Sequence, residues 1–269
     1  MKTLVQLSDL HILPPGQLAY GRVDTAACLR RAIDAVQALP QAPTAVVVTG
    51  DLTEHGSAAE YEHLRSIIAP LGCPIYLLPG NHDDREALRQ AFADHPWLAP
   101  LGPQAFVQYA VDLGGMALVA VDTVVPRASH GEICPRRLER IAELLAAASR
   151  RPSIVAMHHP PFATFIGHMD SIGLRRGAAE LQALVERHGQ VERVVCGHLH
   201  RSIQARWAGT IALTAPSTAH QVQLDLAVEA ESVFRMEPPG FLVHAWDESG
   251  RVVTHQAVVG SYDGPYPFQ

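Results

Sequence analysis

The chain has 269 residues, 48% of them apolar, enough to bury a full-sized core. Its net charge is −6, from 21 basic and 27 acidic side chains, and no basic stripe marks it as a binder of long nucleic acid. No apolar run approaches the roughly 18 residues of a membrane span. Residues 1–8 are too short for a signal peptide, and Cys28, Cys73, Cys134 and Cys196 follow no framework spacing. The expectation is a soluble cytoplasmic protein with reduced thiols and no membrane partner.

Thr3–Ser8 reads as a strand and Asp24–Leu39 as an amphipathic helix. Ala45–Thr49 (AVVVT) is a buried strand, and a helix follows over Ser57–Ala69 with Ser57 as its N-cap. Pro74–Leu78 is a third strand and Arg85–Phe92 a helix. Strands near Phe106–Asp112 and Ala117–Val121 flank the turn Gly114-Gly115. A helix over Pro135–Ala148, a strand at Ser153–Met157, a helix over Ala178–His188 and a strand at Val191–Cys196 complete the alternation. Beyond Ser202 only β segments follow, near 203–207, 210–213, 222–226, 232–236, 241–246 and 252–258. This order predicts a layered α/β core closed by an extra sheet region. No repeat or linker interrupts it, so residues 1–269 read as one domain.

Five short blocks sit at the C-terminal ends of predicted buried strands, the edge where loops of an α/β sheet converge on a ligand. They are Asp9-Leu10-His11, Gly50-Asp51, Gly80-Asn81-His82-Asp83, His158-His159-Pro160-Pro161 and Gly197-His198-Leu199-His200. In an extended segment residues i and i+2 point the same way, so Asp9 and His11 could grip one ion, as could His198 and His200. Two carboxylates, an amide and four imidazoles suit Mn, Fe, Co, Ni or Zn better than Mg or Ca. The seven side chains (Asp9, His11, Asp51, Asn81, His158, His198, His200) are too many for one tetrahedral ion. They suit two ions about 3.5–4 Å apart, with one carboxylate bridging. Each block alone is weak, and their joint occurrence in order carries the inference.

The ordered pattern D-x-H, G-D, G-N-H-D, H-H-P-P, G-H-x-H resembles the calcineurin-like metallophosphoesterases and spans Asp9 to His200. The resemblance implies a four-layer α/β/β/α sandwich, with a β-rich C-terminal cap or dimerisation elaboration over about 217–257. It implies that Asp9, His11 and His200 hold one metal, that Asn81, His158 and His198 hold the other, and that Asp51 bridges. His82 is similar to the family's catalytic histidine, with Asp83 as its orienting partner. Asn81, His82, His159 and His220 are the substrate-binding candidates, with His159 either facing substrate or standing behind the ligands. By position in the loop after HHPP, His168 and Asp170 are surface or packing residues by default, with the substrate entrance as the alternative.

Protein phosphatases carry G-D-x-x-D-R-G where this chain has GDLTEHG, and purple acid phosphatases place Tyr where it has Glu54. The segment Leu18–Asp24, the Ala219-His220-Gln221 stretch and the tail SYDGPYPF are similar to bacterial class III cyclic nucleotide phosphodiesterases and glycerophosphodiesterases. The implied activity is hydrolysis of small phosphodiesters, cyclic nucleotides such as cAMP or glycerophosphodiesters, by a hydroxide between two divalent or trivalent ions (Mn, Fe, Zn or Co). A homodimer or higher homo-oligomer is the implied assembly. A nuclease lacks its basic groove here. A phosphomonoesterase of the same superfamily is the nearer alternative, and an inactive scaffold is one that has lost ligands.

Overall fold

The apolar runs expected as strands up to residue 213 and over 241–258 are strands of two sheets, whereas those near 222–226 and 232–236 shorten to a separate two-stranded ribbon. The computed structural model describes residues 1–99 and 105–268. Strand β1 (Lys2–Leu7) leads to helix α1 (Thr25–Gln37), where Asp24 lies outside the helix and caps it by accepting from the Ala27 amide. Strand β2 (Ala45–Thr49) leads to α2 (Ala58–Ile68), which starts at a capping box of Ser57 and Glu60. Then come β3 (Ile75–Leu78), α3 (Arg85–Ala91), β4 (Tyr109–Asp112), β5 (Ala117–Val121), β6 (Gly131–Glu132) and α4 (Pro135–Ala147). Next are β7 (Ser153–Met157), α5 (Gly167–Asp170), β8 (Leu174–Arg176), α6 (Ala178–Glu186) and β9 (Val191–Cys196). The last third holds β10 (Ile203–Trp207), β11 (Thr210–Thr214), β12 (Gln221–Val222), β13 (Phe234–Arg235), β14 (Gly240–Trp246) and β15 (Val253–Val258).

The first sheet has the order β15-β14-β1-β2-β3, with β1, β2 and β3 parallel. The second runs β10-β11-β9-β7-β5-β4, with its four central strands parallel. Parallel strands are covered on both faces, which is why they read as unbroken apolar runs. Leu118, Ala120, Ile154 and Ala156 face the core shared with the first sheet, while the alternate Val119, Val121, Val155 and Met157 pack with Ile141 and Leu145 of α4 and Leu181 of α6. Leu29 and Ile33 of α1, with Leu64 and Ile67 of α2, join the first-sheet core. The layers are therefore α/β/β/α. The Gln6 side chain donates to the Cys196 carbonyl at 2.9 Å, and the Tyr109 hydroxyl to that of Leu77 at 2.8 Å, so polar as well as apolar contacts join the sheets.

One expectation is corrected. Residues 240–258 are not an elaboration, because β14 pairs with β1 from Lys2↔Trp246 to Gln6↔Leu242 and completes the core sheet. Within 217–258 the segment carrying the short β12–β13 ribbon stands apart from the two sheets, as the β6–β8 pair does earlier in the chain. Among the described residues no helix is long and apolar enough to cross a membrane, and all four cysteines are unpaired.

Candidate metal centre

Each of the five blocks follows a parallel strand, and the loops are knit to one another before any side chain is considered. The Asp9 amide donates to the Gly50 carbonyl, and the Leu10 and His11 amides both donate to that of Asp51. The Gly197 amide donates to the His158 carbonyl, which ties the two blocks of the second sheet. Asp9 (φ 54°), His11 (46°), Asp51 (48°), His198 (71°) and His200 (49°) all occupy the left-handed region. The extended geometry expected for Asp9/His11 and His198/His200 is therefore wrong: both pairs converge through turns beyond the strand ends. Such conformations cost about 1–3 kcal/mol each and persist where the surroundings over-determine them. Glycine is required at two neighbouring positions by crowding. A Cβ on Gly50 would collide with the His158 ring and the Gly80 amide, and one on Gly80 with the Asp51 carboxylate and amide.

The side chains form two groups meeting at Asp51. Its Oδ2 lies 3.6 Å from His11 Nε2 and 3.3 Å from His158 Nε2. His200 Nε2 is 3.1 Å from His11 Nε2 and 3.7 Å from Asp9 Oδ1. On the other side, His158 Nε2 is 3.1 Å from Asn81 Oδ1. The outer ring nitrogens decide the tautomers. His11 Nδ1 donates to Glu54 Oε2 (2.8 Å), His200 Nδ1 to the His220 carbonyl (3.1 Å) and His158 Nδ1 to the Thr49 carbonyl (2.8 Å). In their neutral forms all three rings thus aim Nε2 lone pairs inward, at one another and at the oxygens of Asp51, Asp9 and Asn81. His198 Nε2 is buried with no hydrogen-bond partner among the described residues. Acceptors facing acceptors in a buried site are stable only with cations among them. The donor set fits two metal ions.

The titration behaviour has the same cause. Burial opposes charge on His11, but Glu54, Asp51 and Asp9 prevail and raise it to about 9. Burial likewise opposes charge on His158, and Asp51 raises it to about 9. Burial, with His11 beside it, pushes His200 down to about 3, and burial with His158 nearby pushes His198 well below the usual imidazole range. Burial pushes Asp9 up to about 6, against His158 and with Asp51. Burial opposes the charge of Asp51, yet His158, His82 and His11 hold it well below the ordinary carboxylate value. Without cations, protons on His11 and His158 balance the carboxylates, and metal binding would displace them.

The centre lies at the floor of a cavity of about 420 Å³, walled by Tyr20, His168, Met169, His220, Val222 and Phe234 among others. His82 lines it, with Nδ1 donating to the Glu54 carbonyl at 2.9 Å and its amide donating to Asp51 Oδ1 at 3.0 Å. His220 lines it too, its ring 4.9 Å from that of Phe234 and 4.7 Å from that of His200. Two expectations fail. Asp83 does not orient His82: its carboxylate accepts from the amides of Gly80, Leu52 and Thr53 and from the Thr53 and Tyr61 hydroxyls, so it binds loop to loop. His159 does not face substrate. It is fully buried, accepting from the Thr123 hydroxyl at Nδ1 and donating to the Ser129 carbonyl at Nε2. Asp170 also turns inward, accepting from Thr164 and Phe165, while His168 reaches the cavity. Sequence reasoning missed Glu54, although a carboxylate three residues beyond Asp51 was a visible signal.

Residues 2–202 match the family model described as calcineurin-like phosphoesterase. The chain is 34% identical over 265 residues to a probable glycerophosphodiester phosphodiesterase of Arcobacter nitrofigilis, covering 98% of this chain and 96% of the relative. It is also 34% identical to a probable cyclic nucleotide phosphodiesterase of Rhodopseudomonas palustris, covering 97% and 93%. A dimetal phosphatase from Danio rerio shares the fold at 13% identity, with a TM-score of 0.69 over 96% of this chain and 98% of that one. The match to the family model and the full-length likeness to these relatives place the chain in the calcineurin-like phosphoesterase family.

Proposed function

We propose that this protein hydrolyses small phosphodiesters at a two-metal centre. Asp9, His11 and His200 would hold one ion, Asn81, His158 and His198 the other, and Asp51 would serve both. The observation that carries the reading is the set of inward lone pairs around Asp51 at the floor of a cavity of about 420 Å³. When bound, the two ions supply positive charge for the phosphoryl oxygens and lower the pKa of water.

The protein's own groups do the rest. The Glu54 carbonyl fixes His82 Nδ1, so Nε2 is the nitrogen offered to the cleft. From there an imidazolium hands its proton to the departing alkoxide oxygen. The His82 amide also holds Asp51 Oδ1, so the proton donor and the central carboxylate are placed by one turn. Tyr20, His220 and Phe234 wall the cavity on one side and screen the ester from bulk water. Glycerophosphodiesters and 3′,5′-cyclic nucleotides fit such a cavity, and the named activities of the relatives support both.

The test compares kcat/KM for bis-p-nitrophenyl phosphate, cAMP, glycerophosphoethanolamine and p-nitrophenyl phosphate on Mn²⁺-loaded protein. Diesters are expected to exceed the monoester, and chelation is expected to abolish turnover. Faster monoester turnover, or full activity after exhaustive chelation, overturns the reading. The apolar side chains Leu224, Leu226, Val228 and Met236 stand exposed around the ribbon and support a homodimer through this segment. Light scattering that gives a monomer mass would remove that part. The unpaired cysteines support a reducing, cytoplasmic setting.

A further inference from the structure

Glu54 stands behind the centre in the loop after β2. Its Oε2 lies 2.8 Å from His11 Nδ1, and its main-chain carbonyl lies 2.9 Å from His82 Nδ1. One residue therefore holds both rings, each at the nitrogen remote from the cavity. A carboxylate only accepts, so His11 carries its hydrogen on Nδ1 and keeps the Nε2 lone pair for the centre. The loop is held at several points. The Glu54 amide donates to the Ile12 carbonyl at 3.1 Å, and the Gly56 amide to the Thr53 hydroxyl at 3.1 Å. Thr53 is itself held by Asp83, and the His55 amide donates to Glu60. The Glu54 side chain is 15% exposed, so its carboxylate is only lightly screened.

The backing is asymmetric. Behind His200 and His158 stand neutral main-chain carbonyls, of His220 and Thr49. Behind His11 stands a full negative charge. A carboxylate on the far nitrogen of a ligand imidazole fixes its tautomer and orientation and makes it a stronger donor. We propose that Glu54 is a positioning residue that strengthens one of the two ions, the one held by Asp9, His11 and His200, by acting through His11. The inference rests on the two-ion reading above.

Calorimetric titration of Mn²⁺ into metal-free protein, with bound Mn counted by elemental analysis, tests both levels separately. Two ions on the wild type uphold the parent reading. Glu54→Ala is expected to weaken one ion about 10–100-fold and leave the other unchanged. Glu54→Gln still offers an amide oxygen to His11 Nδ1 and is expected to lose less than Glu54→Ala. Circular dichroism of the metal-free variants checks the fold. If Glu54→Ala does not fold, weakened binding of one ion in folded Glu54→Gln carries the test. Wild-type affinity for both ions in the folded variants, or equal weakening of both, overturns the proposal. If the wild type binds a single ion, the two-ion reading falls, and Glu54 keeps its role only if Glu54→Ala weakens that ion.

Discussion

His82 has one ring nitrogen to give, because Nδ1 is committed to the Glu54 carbonyl. His82→Ala is therefore expected to leave both ions bound, since none of the opposed lone pairs belongs to it. A positioned proton donor is worth about 10²–10⁴-fold, and turnover of an alkoxide-leaving diester should fall by that order. With p-nitrophenolate, which departs without a proton, the loss should be much smaller. Equal losses on the two substrates, or loss of bound Mn²⁺ by elemental analysis, would make His82 a structural residue or a ligand. This residue and the seven metal-ligand candidates were legible in the sequence because each sits in a short block at a strand end. The roles of Asp83, His159 and Glu54 were not. Whether a side chain next to a block turns inward or outward depends on loop-to-loop hydrogen bonds, and those join segments tens of residues apart, as Asp83 does with Thr53.

Between β1 and β15, strand β14 carries a fully buried histidine far from the cavity chemistry. His244 Nε2 donates to Gln6 Oε1 at 3.1 Å, and its Nδ1 accepts from the Thr254 hydroxyl at 2.9 Å. The neutral ring is satisfied on both sides. Burial, with Arg193 adding repulsion, pushes it down to about 3. The unfolded ring protonates near its ordinary 6.5, so below that pH the unfolded chain binds the extra proton. Stability then falls as the pH drops towards 3. Between pH 7.5 and 5 this one residue should remove roughly 2 kcal/mol, at about 1.36 kcal/mol per pH unit. Urea unfolding of metal-free wild type and His244→Gln at both pH values checks it. The variant should be less stable at pH 7.5 but lose about that much less on acidification. An unchanged pH difference would show that another group dominates. The apolar runs of β14 and β15 were readable as strands, but their membership of the first sheet was not. Nothing local marks Trp246 as the partner of Lys2 across the whole length of the chain. The β12–β13 ribbon is shorter than the apolar pattern suggested, because Leu224, Leu226 and Val228 are exposed rather than packed on a sheet.

The centre is also a fastening for the whole molecule. Asp9, Asp51 and Asn81 follow β1, β2 and β3 of the first sheet, whereas His158, His198 and His200 follow β7 and β9 of the second. Ions held by this set would cross-link the two sheets at one edge and relieve the opposed lone pairs there. Metal binding should therefore raise the stability of the entire sandwich. A ligand that binds only the folded state contributes about 2.7 kcal/mol when present at 100 times its Kd. At roughly 2–4 °C per kcal/mol for a protein near this size, one ion should raise Tm by roughly 5–10 °C, and two by more. Thermal melts of metal-free protein with and without Mn²⁺ read this directly. His11→Ala should keep part of the shift, because Asn81, His158, His198 and Asp51 still surround the second ion. Asp51→Ala should keep little of it, since its carboxylate lies against both groups. If Asp51→Ala shifted with Mn²⁺ as far as wild type while His11→Ala did not shift at all, Asp51 would serve neither ion and the bridge would have to be reassigned.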